Sequence, residues 1–170
     1  MFSVAVQQAD FDAGAEMAAL TAGNAEAGAV ASFVGLVRAD KVADAGGEKA
    51  GAGSKVGAGA TAAVHAMTLE HYPGMTERAL EDIVAQARDR WNLLAARVIH
   101  RVGRLLPGER IVFVAVASSH RHDAFAACAF IMDYLKTQAP FWKREETPTG
   151  ARWVDAREAD DAALARWRGG

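Results

Sequence analysis

The residue types best able to do chemistry surround one apolar segment in the C-terminal half of the chain. His120 and Arg121 precede this segment, Lys136 ends it, and Lys143 and Arg144 follow it after an aromatic pair. Cations beside aromatic surfaces suit a flat, anionic ligand, because they supply both ionic hydrogen bonds and cation–π contacts. The segment therefore predicts an anion-binding site.

Lys136 has two interpretations. Helical spacing places it on one line with Phe125, Ala129 and Met132, so that an apolar stripe ends in an amine. Loss of hydration in such a place lowers the pKa of a lysine and makes it a candidate proton donor, base or nucleophile. In the alternative, Lys136 reaches water and interacts with the carbonyls at the C-terminal end of its helix.

A metal site and a reactive thiol are the competing chemistries. His120, His122 and Asp123 offer ligand atoms, but two histidines one residue apart match no common zinc spacing, so we expect no metal. Cys128, the single cysteine, falls inside the apolar segment with no charge beside it. This setting predicts a core thiol, because a reactive thiolate needs an accessible, electropositive environment.

Hydrophobic periodicity predicts the elements that must position these cations. The segment at 110–118 is apolar on both faces, which indicates a central strand that delivers Ser119, His120 and Arg121 to one edge of a sheet. The elements lack strict strand–helix–strand alternation, which favours an α+β fold with a mainly antiparallel sheet and flanking helices. Strands are predicted at 2–7, 28–38, 64–71, 96–102, 110–118 and 152–156, and helices from Asp10 or Asp12 to Gly23, at 76–91, from 118–123 to Pro140, and at 159–167.

Length and composition indicate one soluble domain spanning residues 1–170. A net charge of −2 argues against nucleic-acid binding as the function, because proteins that bind nucleic acids carry a strong basic excess. The sequence has neither a membrane-span pattern nor a signal-peptide pattern at its start, and one cysteine fits a reducing compartment, so we expect a cytoplasmic protein. Residues 43–63, of which fourteen of twenty-one are alanine or glycine, predict a mobile loop that is either a flap beside Arg38 or a tolerated insertion.

Several motifs together resemble one known family. They are HRHDAF at 120–125, FIMDYLKTQAPFWKREETPTGARWVDAR at 130–157, GLVR at 35–38, TLEHYPGM at 68–75, VIHRVG at 98–103 and PGE at 107–109. In these motifs the chain is similar to the large, catalytic subunit of molybdopterin synthase, and the likeness covers most of the sequence.

The resemblance implies a fold and an activity. The fold is the α/β-hammerhead type, usually a homodimer that forms a heterotetramer with two small subunits. The family adds two sulfurs to cyclic pyranopterin monophosphate, which makes the dithiolene of molybdopterin. The sulfur arrives as a thiocarboxylate on the C-terminal glycine of a small ubiquitin-like partner ending in Gly-Gly, whose tail enters a pocket, so no resident cofactor is expected.

The resemblance also implies roles for individual residues. Lys136 matches the lysine beside the partner's terminal glycine, and Lys143 matches a second essential lysine. Arg38 and Arg121 match positions that line the substrate site, where His120 can hydrogen-bond the phosphate or the pterin. The further members of this expected site are Leu36, Val37, Arg144 and Glu145, with Phe33 and Met132 as pocket or core residues and Arg157 as an anion contact.

One departure from the family and two alternative functions follow from the same residues. Leu36 stands where some relatives carry lysine, so its contact there is through backbone or apolar atoms. A non-catalytic scaffold that binds a ubiquitin-like tail or an anionic cofactor would need the same cations. The terminal Gly169-Gly170 imitates a sulfur-carrier tail, but the rest of the chain does not resemble a carrier.

Overall fold

The computed structural model describes residues 1–39, 41–42, 62–63, 65–147, 150–154 and 165–167. No helix in this described part is long and apolar enough to cross a membrane. The strands are β1 (Phe2–Gln7), β2 (Ala29–Leu36), β3 (Lys41–Val42), β4 (Ala62–Ala63), β5 (Ala66–His71), β6 (Leu93–Arg101), β7 (Gly103–Leu105), β8 (Arg110–Ser118), β9 (Phe141–Thr147) and β10 (Gly150–Val154), and the helices are α1 (Ala13–Thr21), α2 (Met75–Arg90) and α3 (Arg121–Gln138).

The strands form two four-stranded sheets and one short ladder. The first sheet has the order β1-β6-β8-β2, in which only β1 and β6 run parallel, and the second has the order β10-β9-β5-β7 with antiparallel neighbours throughout. The predicted α+β class, with mainly antiparallel sheets and flanking helices, is confirmed. The single sheet implied by the sequence is in fact two.

The core forms on both faces of the first sheet, because β8 is buried on both sides. Val114 and Val116 face the helices α2 and α3, and Phe113 faces a cluster with Phe11 and Leu20 of the α1 region. Each large side chain buried in this way contributes about 1.5–3 kcal/mol of transfer free energy. The prediction that residues 110–118 form the central strand is confirmed.

Local signals explain where the helices begin and end. The Asp12 carboxylate accepts a hydrogen bond from the Ala15 backbone N–H at 3.0 Å, which caps the first turn of α1. The helix α3 ends at Gln138, since Pro140 disfavours helical geometry in Ala139 before it.

Gly35 interrupts β2, as a glycine inside an apolar strand segment indicates. The pairing of β2 with β8 shifts register between Gly35 and Leu36, and a Cβ atom on Gly35 would lie 2.6 Å from Cγ1 of Val112. A side chain at this position would collide with the neighbouring strand. The glycine therefore permits the bulge that redirects the end of β2.

Other expectations were wrong or fall outside the described residues. The strands β3, β7 and β9 were not predicted, and the last strand was predicted two residues too late. Within the predicted 43–63 loop, residues 43–61 lie outside the described part, and Ala62 and Ala63 pair with Lys41 and Val42 as a short ladder. Only 165–167 of the predicted terminal helix are described, and there the Trp167 ring meets Phe130 at 5.5 Å and Trp91 at 5.8 Å.

Candidate active site

Lys143 and Glu145 form an ion pair on β9. The Lys143 ammonium nitrogen lies 2.8 Å from a Glu145 carboxylate oxygen, and the Glu145 side chain is only 6% exposed. Glu145 and Lys143 stand opposite Met67 and Leu69 in the sheet, and directly paired residues share a face. Both charges therefore face the apolar cluster formed with Val37. A carboxylate buried among apolar groups needs such a partner, so Glu145 fixes the position of the Lys143 amine.

The end of β2 is held against the turn that precedes β8. The Val37 backbone N–H donates to the Glu109 carbonyl at 2.9 Å, and the Val37 carbonyl accepts from the Gly108 N–H at 2.8 Å. Arg38 follows directly and is exposed. Val37 packs in one cluster with Met67 and Leu69, which stand opposite Glu145 and Lys143. Arg38, the next residue after Val37, therefore lies on the side of the Lys143–Glu145 pair.

Lys136 lies at the same end of the first sheet. Cys128 of α3 is level with Val114 of β8, since its Sγ atom is 4.0 Å from the Val114 carbonyl. Eight residues along a helix cover about 12 Å, and four residues along a strand cover about 13 Å. Because α3 runs antiparallel to β8, Lys136 lies level with Arg110 of β8. Arg110 pairs with Leu36 of β2. The side chain of Lys136 is exposed in the single chain, as its alternative interpretation expects.

His120 and Arg121 lie at the opposite end of α3. They line an open cavity of about 740 Å³ together with Gly28 and Phe125. Fifteen residues of helix separate Arg121 from Lys136, which corresponds to about 22 Å along the axis. A single chain therefore does not bring these two cations to one small ligand.

Four further predicted site residues lie in the described part of the chain, and a fifth does not. Arg144 alternates to the other face of β9, opposite the exposed Trp153 of β10, so it does not share a wall with Lys143. Phe33 and Met132 line a shallow groove between β2 and α3, where Phe33 is 41% exposed and Met132 is buried. Leu36 is exposed, and Arg157 lies outside the described residues.

The chain's single thiol is poorly placed for sulfur chemistry. Cys128 is buried beneath β8, and burial raises the pKa of its thiol to about 11. At neutral pH the sulfur is therefore protonated and shielded, which makes it a poor nucleophile. In the described ranges no group of three or more histidine, cysteine, aspartate or glutamate side chains is arranged to hold a metal ion.

Sequence reasoning left two buried residues beside this site without a role. Thr76 is fully buried at the start of α2, and His100 of β6 stacks on Phe141 with ring centroids 3.9 Å apart. The His100 Nδ1 atom lies 2.9 Å from the Arg101 carbonyl, which can only accept, so this nitrogen carries the proton. The stack of His100 on Phe141 joins residues far apart in the chain, and no local pattern signals it.

Burial of His100 predicts a pH-dependent stability. Desolvation lowers the pKa of His100 from 6.5 to about 4, assisted by the nearby His71 and opposed by the Arg101 carbonyl. This lowered pKa contributes stability that is present above pH 6.5 and is lost as the pH falls toward 4. Between pH 7 and pH 5 the wild-type chain should lose about 2 kcal/mol of unfolding free energy through this residue.

Chemical denaturation at several pH values tests this expectation. The His100→Leu variant has no imidazole to protonate, so its unfolding free energy should fall less steeply over the same range. Equal slopes for the two proteins would show that His100 is not the group responsible.

Comparisons with known proteins place the fold and then the family. A solved structure described as "Molybdopterin biosynthesis MoaE protein from Burkholderia ambifaria MC40-6" superposes with a TM-score of 0.75 and 54% sequence identity, covering 98% of each chain. A structure from Helicobacter pylori, at a TM-score of 0.63 and 18% identity over 91% of each chain, shares the fold. It is described as a "Protein-protein complex of subunit 1 and 2 of Molybdopterin-converting factor".

The sequence comparisons agree. A relative from Ralstonia nicotianae, named "Molybdopterin synthase catalytic subunit", is 58% identical over 167 residues, which are 98% of this chain and 85% of the relative. A family model described as MoaE protein matches residues 6–138. The chain belongs to the MoaE family, and the resemblance seen in its motifs is confirmed.

Proposed function

We propose that this chain is the catalytic subunit of a molybdopterin synthase and acts as a sulfurtransferase in molybdenum cofactor biosynthesis. Relatives at more than half identity over nearly the whole chain carry the catalytic-subunit name. The observation that carries the proposal is the Lys143–Glu145 ion pair, which faces the apolar cluster containing Val37, the residue before Arg38. The substrate is cyclic pyranopterin monophosphate, whose phosphate suits the planar fork of arginine.

The sulfur comes from a partner protein. Cys128, the only cysteine, is buried with a raised thiol pKa, which is a poor setting for a sulfur carrier. The Helicobacter pylori structure of the same fold is a complex of two subunits, which supports a protein partner. We assign that role to a small ubiquitin-like subunit whose C-terminal Gly-Gly carries a thiocarboxylate.

The two lysines have separate tasks in the transfer. The thiocarboxylate sulfur forms a bond to a pterin carbon, and water then breaks the bond between that sulfur and the glycine carbonyl carbon, which returns a carboxylate. Lys136 stabilises the negative charge that develops at the glycine carbonyl, and the Lys143 ammonium, held by Glu145, protonates a leaving oxygen of the pterin. Neither step needs a resident metal or cofactor.

A second copy of the chain completes the site. Arg121 and Lys136 lie about 22 Å apart on one helix, too far for one small ligand to contact both. The β2 edge of the sheet and the adjoining face of α3 expose large apolar side chains, among them Phe33, Val34 and Phe125. A two-fold dimer that buries this surface with its α3 helices antiparallel brings His120 and Arg121 of one protomer toward Lys136 of the other. Each such dimer binds two small subunits, which gives a heterotetramer.

Reconstitution tests the function directly. Purified chain, thiocarboxylated partner and cyclic pyranopterin monophosphate, with no added metal, should form the dithiolene product. Partner binding without product would indicate a non-catalytic scaffold. Adenylation of this chain's own C-terminus by an activating enzyme would instead identify a carrier.

A further inference from the structure

The connector between α3 and β9 joins the two lysines of the proposed site. It consists of Ala139 and Pro140 together with Phe141, the first residue of β9, so its geometry sets the position of Lys136 relative to Lys143. Within the connector the Phe141 N–H donates to the Ala139 carbonyl at 2.9 Å, and Pro140 has no N–H to donate. Contacts from other elements must therefore fix most of its orientation.

Thr76 holds the backbone of this connector from α2. The Thr76 hydroxyl donates to the Pro140 carbonyl at 3.2 Å and accepts from the Tyr72 N–H at 3.2 Å. The side chain of Thr76 is fully buried, so its hydroxyl makes these bonds to the protein rather than to bulk water. Loss of the hydroxyl would remove the side-chain partner of both the Tyr72 N–H and the Pro140 carbonyl, in hydrogen bonds that are partly buried.

His100 holds the next residue from β6. Its ring stacks on Phe141 at an interplanar angle of 20°, and its own orientation is fixed by the hydrogen bond from Nδ1 to the Arg101 carbonyl. The backbone of Phe141 pairs with His71 of β5 at the same point. The connector is thus held at Pro140 and at Phe141 by two elements distant in sequence.

We propose that Thr76 and His100 are positioning residues, which hold the α3–β9 connector so that the amines of Lys136 and Lys143 meet one substrate. This inference rests on the proposed function. Displacement of reacting groups by about 1 Å can reduce a rate as much as a hundredfold while the groups themselves stay intact. Loss of either contact therefore lowers kcat more than it raises KM for the pterin.

The test compares variants at Thr76 in the reconstituted complex. Thr76→Val keeps the shape of the side chain without the hydroxyl, and kcat should fall about tenfold with KM for the pterin changed by less than about twofold. Thr76→Ser keeps the hydroxyl and should recover at least half of the wild-type kcat. Leu20→Ala, in the separate cluster with Phe113, is the control: it should lower the melting temperature at least as much as Thr76→Val while kcat stays unchanged.

Each outcome decides the inference. Wild-type kcat in Thr76→Val, a Thr76→Ser variant no better than Thr76→Val, or an equal loss of kcat in Leu20→Ala would overturn it. If Thr76→Val does not fold, His100→Leu removes the ring stack, and an unchanged kcat there would be equally contrary. Absence of product from the wild-type complex would refute the proposed function instead, so the two failures are distinguishable.

Discussion

Replacement of Lys136 by alanine is expected to reduce dithiolene formation by at least about a hundredfold, the usual cost of removing one group that stabilises developing charge. Lys136 lies near the C-terminal end of α3, level with Leu36 of β2, which Val37 and Arg38 follow. In the proposed function, its loss removes the positive charge nearest the partner's glycine carbonyl. Since Lys136 is exposed in the single chain, the unfolding free energy should change by no more than about 0.5 kcal/mol.

Three measurements separate catalysis from folding and binding in this variant. Single-turnover product formation reports the chemical step, calorimetric titration with the thiocarboxylated partner reports complex formation, and thermal unfolding reports the fold. Lys136→Arg retains a positive charge that cannot give up its proton at neutral pH, so partial activity in it would assign the lysine an electrostatic task. Arg78→Ala removes an exposed cation from α2 and should leave all three measurements unchanged. Normal turnover by Lys136→Ala would refute the catalytic role.

Much of the scaffold of this site was predictable from local sequence. The alternation in β1, the doubly apolar β8 and the proline after α3 each define an element through neighbouring residues alone. Gly35 likewise marked the bulge in β2, because only a residue without a Cβ fits against Val112. Such features need no knowledge of the tertiary fold.

The parts that escaped prediction depend on contacts across the chain. The strand β9 carries a run of charged residues, which no local pattern explains. In the structure, Glu145 is buried against Met67 and forms an ion pair with Lys143, and this contact accounts for the charges. The hydrogen bond from Thr76 to Pro140 spans 64 residues and has no sequence signature. The distance between Arg121 and Lys136 could have been calculated from the sequence, because both residues were expected on one helix, whose rise per residue is known.

Mixed dimers are expected to regain activity from two inactive chains. One chain carries His120→Ala and Arg121→Ala, which removes the proposed phosphate-binding groups, and the other carries Lys136→Ala. In the two-fold dimer proposed above, a hybrid has one site with neither lesion and one site with both. Random reassociation of equal amounts makes half of the dimers hybrid, so about a quarter of the wild-type activity should return.

A second pairing of variants provides the matched control. Lys136 and Lys143 lie at the same end of one protomer, on either side of the short connector. A hybrid of Lys136→Ala with Lys143→Ala therefore has one lesion in each site and should stay as inactive as its parents. No recovery in the first pairing would place His120 and Arg121 outside a shared site, and recovery in the second would show that Lys136 and Lys143 do not serve one site from the same protomer. Recovery in the first pairing alone has one geometric explanation, because a helix that holds Arg121 and Lys136 about 22 Å apart can join them at one substrate only through a second helix running the other way.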